Sequence, residues 1–84
     1  MEKFDNFFVA SAVEDYIMMS VMISQYRHFN LLMNINEDVI NKRINDARHT
    51  MINYKYDVKR VDDYLMKYMP QLIKLPRELY PPLL

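Results

Sequence analysis

The sequence predicts an all-α fold: an antiparallel helical hairpin with a long second helix, completed as a homodimeric or partner-bound helical bundle. Three observations carry that expectation. The 84 residues contain no glycine, the residue that tight hairpins and phosphate loops use for positive φ or close backbone approach. Apolar side chains recur at steps of three and four along most of the chain, which is the period of a helix face. All four prolines lie at or beyond position 70, so no helix breaker interrupts what precedes them.

The first helix is expected from about residue 6 to about residue 29. Asp5 or Asn6 is suited to cap it, and Ser11-Ala12-Val13-Glu14 has the form of a capping box that would mark a later start or a break. One apolar row is Val9, Ala12, Tyr16, Met19, Ile23 and Tyr26; a second adds Val13, Ile17 and Val21. Ser11, Glu14, Asp15, Gln25 and His28 mark a wet face, with Met18 and Met22 set among them. A helix this apolar around its circumference calls for neighbours on more than one side.

Asn30 to Asn36 reads as the turn, because asparagine tolerates the left-handed region that glycine would otherwise fill. Asn36 is the expected N-cap of the second helix, followed by Glu37 and Asp38, whose charge suits the helix dipole. Ile35 and Ile40 have the spacing of a hydrophobic staple.

Ile40, Ile44, Ala47, Met51, Tyr54, Val58, Val61, Leu65 and Tyr68 alternate steps of four and three without a slip. That heptad repeat predicts packing along a seam. It favours one continuous helix over about 37–69, roughly 50 Å long, against a break near Asn53 to Asp57. Pro70 is expected to stop that helix near Tyr68. The chain thus divides into a hairpin domain, residues 1–69, and a proline-rich tail, residues 70–84. Pro81 to Leu84 are expected to contribute little to stability. In an antiparallel pairing of two second helices Arg48 would face Asp62 of a second copy, but Lys55 would meet Lys55. That conflict favours a mixed bundle.

Lysine plus arginine equals aspartate plus glutamate at 11 each. A protein that grips nucleic acid through phosphates carries excess positive charge, and a nucleic-acid mimic the opposite excess. There is no cysteine, so neither a disulfide nor a thiolate zinc site is available. The acidic start Met1-Glu2-Lys3-Phe4-Asp5 does not read as a signal peptide. The longest uncharged apolar stretch, Tyr16 to Tyr26, falls short of the roughly 20 residues that span a bilayer. Location in the cytoplasm, or in a host cell's cytoplasm, is the expectation. The bias toward Phe, Tyr, Met, Ile, Asn and Lys resembles coding in an AT-rich, phage-like genome.

No catalytic, metal or cofactor site is expected. Serine occurs only at 11, 20 and 24, and Asp46 and His49 have the spacing of a solvated one-turn pair. The function expected is therefore binding: a small helical protein–protein interaction module, an inhibitor or adaptor. Its candidate contact residues are Met18, Met22, Ile52 and Tyr56, since thioethers re-pack against varied partners. The alternative is a regulator that meets nucleic acid through Lys42, His49, Tyr56, Arg60 and Lys67, a basic and aromatic stripe opposite the heptad seam. At the tail, Tyr80-Pro81-Pro82-Leu83 resembles the YPxL late-domain motif of viral proteins, which would imply recruitment of host budding factors. An end that folds back through Leu79 and Tyr80 is the simpler expectation.

Overall fold

The computed structural model describes residues 6–29 and 36–83. They form three α-helices, α1 (Phe7–His28), α2 (Glu37–Asn53) and α3 (Val58–Leu72), followed by a 3₁₀ turn at Arg77–Leu79. The Asn30–Ile35 turn and the Ile35 half of the staple lie outside the described residues.

Asn6 starts α1: its side-chain oxygen accepts from the amides of Phe8 (2.8 Å) and Val9 (3.3 Å), satisfying donors the helix cannot. Ser11 lies inside the helix without a break. Asn36 caps α2 in the same way, accepting from Asp38 and Val39.

The expectation of one continuous second helix is overturned. The chain breaks at Tyr54–Asp57, and α3 turns back beside α2. A straight helix over 37–69 would span roughly 50 Å, more than the 38 Å longest dimension of the fold. The break is built as a Schellman motif. The Tyr56 amide donates to Met51 (2.8 Å) and the Lys55 amide to Ile52 (3.0 Å), closing the carbonyls that the last turn of α2 leaves open. Lys55 takes the left-handed position at φ 60, where a residue with a Cβ is disfavoured by roughly 1–2 kcal/mol relative to the right-handed region. Tyr56 packs on the cluster that contains Met51, the apolar contact this motif favours. Asp57 then caps α3 by accepting from the Lys59 amide (3.0 Å).

Pro70 does not stop α3 near Tyr68. It lies inside the last turn, and the helix runs on to Leu72. Proline removes the amide bond to residue 66, but the Ile73 amide still closes on Met69 (3.2 Å). Leu72 and Ile73 are buried in the core, and their burial offsets the lost bond.

The helices run up, down and up. Arg27 pairs with Glu37, Asp15 with Arg43, and the rings of Phe8 and Tyr54 stack at 6.0 Å, so α1 and α2 are antiparallel. Tyr16 meets Asp62 and Gln25 meets Ile73, so α3 runs parallel to α1. The main core gathers Val13, Ile17, Val21, Met51, Val61 and Leu72 from all three helices. Met19, Ile23 and Ile40 form a smaller cluster between α1 and α2.

The tail returns along the bundle. Arg77 pairs with Glu14, Tyr64 donates to the Pro81 carbonyl (2.7 Å), and Leu83 is 2% exposed within the main core. Pro81 to Leu84 are expected to contribute little to stability, yet Leu83 is packed in the main core. Of the two residues expected to carry the fold-back, Tyr80 packs on the main core and Leu79 is exposed.

Candidate functional site

One polar cluster ties the helices together. Arg48 Nη1, on α2, donates to the Tyr16 hydroxyl on α1 (2.7 Å) and to both carboxylate oxygens of Asp62 on α3 (3.3 and 3.2 Å). The Tyr16 hydroxyl in turn donates to Asp62, and the guanidinium lies 5.6 Å from the centre of the Tyr16 ring. Burial, then the Asp62 carboxylate, pushes the Tyr16 phenol above its ordinary pKa. The bond to Tyr16 raises Arg48 further. Each group's charge or proton is already matched within the cluster, so the arrangement positions helices. The Arg48–Asp62 complementarity expected between copies is satisfied here inside one chain, because the break folds α3 against α2.

The residues expected to meet a partner are distributed unevenly. Met18 and Met22 lie one turn apart on the outer face of α1, 37% and 39% exposed. Tyr26, half-buried, continues that row, and Phe29, 47% exposed, ends it at the helix C-cap. Met18 also borders a cavity of about 210 Å³ between α1 and the 3₁₀ turn, beside the Glu14–Arg77 pair. Ile52 is exposed, but on α2. Tyr56 is half-buried against the main core, with the Arg60 guanidinium 5.9 Å from its ring centre. These four do not form one surface.

The alternative stripe is divided as well. Lys42 and His49 ride on α2, whereas Arg60 and Lys67 ride on α3, on the far side of the break. Lys42 pairs with Asp46 (3.5 Å), and Lys67 lies over the Tyr68 ring (5.1 Å). Arg60, Lys67, Tyr64, Tyr68 and Pro82 line a cavity of about 220 Å³ along with Asp63. Among the described residues no group of three or more His, Asp and Glu side chains could hold a metal ion.

Two surfaces were not singled out in the sequence. An open groove of about 490 Å³ between α1 and α2 is lined by Ala12, Ala47, Phe8 and the Asp15–Arg43 pair. A second, about 450 Å³, lies between the ends of α1 and α3, where Met66, Met69, Pro70 and Ile73 meet Ser24, His28 and Lys74. The signal for the first was the pair of small residues, each in an apolar row. No sequence spacing announces the second, because its residues come from helices that only the break brings together.

By length and composition α1 is apolar enough to cross a membrane. In the fold its Val13, Ile17 and Val21 are buried, and Glu14 and Asp15 are ion-paired to Arg77 and Arg43. Comparison of the chain with protein-family models, with curated proteins and with solved structures finds no match.

Proposed function

We propose that this chain is a non-enzymatic protein-binding module, an inhibitor or adaptor acting in the cytoplasm, that offers the outer face of α1 to a protein partner. The observation that carries the reading is the stripe Met18, Met22, Tyr26 and Phe29. These apolar side chains share a face of α1, and folding leaves three of them more than a third exposed. α1 already packs α2 and α3 against its inner face. Apolar anchors spaced by three and four are how one helix recognises a groove or a second helix. Methionine suits such a surface, because its unbranched thioether adapts to the shape it meets.

The test is calorimetry with a purified partner recovered from the source cell. Replacing Met18 and Met22 together by Lys is expected to weaken binding by about tenfold or more, as loss of central apolar anchors does, with the circular dichroism spectrum unchanged. Unaltered affinity would remove the α1 face from the reading. Fluorescence anisotropy with labelled single-stranded DNA and RNA supplies the other arm. Tight binding that fell steeply with salt, and fell again on replacing Lys42, Arg60 and Lys67 by Ala, would replace the proposal with the nucleic-acid reading.

A further inference from the structure

We infer that the break at Tyr54–Asp57 is a hinge through which two copies of this chain exchange α3. In the exchanged dimer α2 and α3 form one continuous helix, and each α3 packs on α1 and α2 of the other copy. This inference stands apart from the α1 face proposed above.

Four observations support it. First, the apolar spacing keeps its phase across the break: Met51, Tyr54 and Val58 continue the steps of three and four that run from Ile40 to Tyr68. A break with no other conformation has no need of that phase. Second, nothing in Asn53-Tyr54-Lys55-Tyr56-Asp57 forbids a helix, as there is neither glycine nor proline. Third, the closed turn holds Lys55 at φ 60, a position that straightening would relieve, and short strained hinges favour exchange. Fourth, Tyr54 occupies a seam position yet is 48% exposed in the closed form. A continuous helix would return it to the seam.

The geometry closes on itself. Two continuous helices crossing antiparallel at Lys55 place Arg48 of each copy opposite Asp62 of the other. That is the pair the closed chain makes internally. The exchange therefore preserves the Tyr16–Arg48–Asp62 cluster and the burial of Val61, Leu65 and Leu72, and alters only the hinge. The like charges of two Lys55 residues at the crossing are what it adds against itself.

Two sets of variants test this by native mass spectrometry and light scattering coupled to size exclusion, after unfolding and refolding at high protein concentration. Lys55→Ala with Asp57→Ala removes the charge at the crossing and the cap that favours the closed form. It is expected to tighten dimerisation by roughly thirtyfold, since the two closed chains that make one dimer each lose a helix cap. Lys55→Gly, which relaxes the closed turn, is expected to hold the chain monomeric. A hinge variant that remains a folded monomer at every concentration would overturn the inference.

The second set decides the matter should the hinge variant fail to fold. Arg48→Asp and Asp62→Arg each set like charges together in their own chain. Refolded as a mixture, they are expected to assemble into mixed dimers well beyond the half expected from random pairing, because only exchange restores an opposite-charge pair at both sites. Monomers alone, or mixed dimers at the random share, would show that α3 is not exchanged.

Discussion

The α1–α2 pair and the α3–tail unit are held by different means. Between α1 and α2 the contact runs along the length of both helices, from the Phe8–Tyr54 stack through Ala12 and Ala47 to Met19, Ile23 and Ile40. It is mostly apolar and non-directional, with the Asp15–Arg43 and Arg27–Glu37 pairs at its rim. α3 and the tail bury fewer side chains, but pin them with directed bonds: Tyr16 and Arg48 on Asp62, Gln25 on the Ile73 carbonyl (3.1 Å), Arg77 on Glu14, and Tyr64 on the Pro81 carbonyl. An apolar stripe can hold two helices together in more than one register. Hydrogen bonds between named atoms select one. The first region supplies adhesion, and the second supplies uniqueness.

The largest effect that would test this division is expected at the tail. Leu83→Ala removes a side chain from the main core, and is expected to lower unfolding free energy by about 2–5 kcal/mol, read from the urea midpoint. A loss within about 0.5 kcal/mol, the range of an ordinary surface change, would return the tail to the role of a dispensable end.

Next comes the polar cluster. Burial raises the phenols of Tyr16, Tyr64 and Tyr80 above their ordinary pKa, so the folded state holds these protons more tightly than the unfolded chain. The stability they confer is complete below about pH 10, where the unfolded phenol titrates, and is lost as the pH climbs through the raised folded values. Tyr16→Phe is expected to cost about 1–2 kcal/mol at neutral pH through the bonds to Arg48 and Asp62, and to reduce the alkaline loss. Urea midpoints measured from neutral to strongly alkaline pH check both. An alkaline slope unchanged in the variant would assign the loss to the other two phenols.

The smallest effect belongs to the exposed pairs. Lys42→Ala breaks an i, i+4 pair with Asp46 in which both side chains are mostly exposed, and is expected to change stability by no more than about 0.5 kcal/mol. A larger loss would mean that the outer face of α2 contributes more than solvated charge.

The contrast between the regions also explains what could be read in advance. The α1–α2 pair was legible: Asn6 and Asn36 are caps placed by local chemistry, and the apolar rows of α1 and α2 identify most of the side chains they bury. α3 was legible as a helix, and a break near Asn53 to Asp57 was the alternative to continuity, but the phase favoured the continuous helix. The steps of three and four within each half are what a helix needs to bury one face when it folds back on the same core, whereas their unbroken phase across residues 53–57 is what favoured continuity. Both halves must present the same kind of face, whether they meet one neighbour in line or side by side. Asp57, an acidic residue four places before the buried Val61, was the cap that marked the start of α3. Without a glycine, nothing in Asn53 to Asp57 named the left-handed residue.

What the sequence by itself determined is therefore the helical period, the capped starts of α1 and α2, and an α1 too apolar to be covered on one face. These follow from interactions within a few residues, between a cap and its first turn or between side chains three and four apart. Where the chain turns back, that Pro70 is carried inside α3, that Leu83 enters the core, and that Arg48 finds Asp62 in its own chain were decided by the tertiary structure. Each required a bond or a buried surface between segments far apart in sequence. The lysine at positive φ shows the reason most directly. Local sterics disfavour that conformation at Lys55, and packing of Tyr56, Val61 and Leu65 against the core outweighs it.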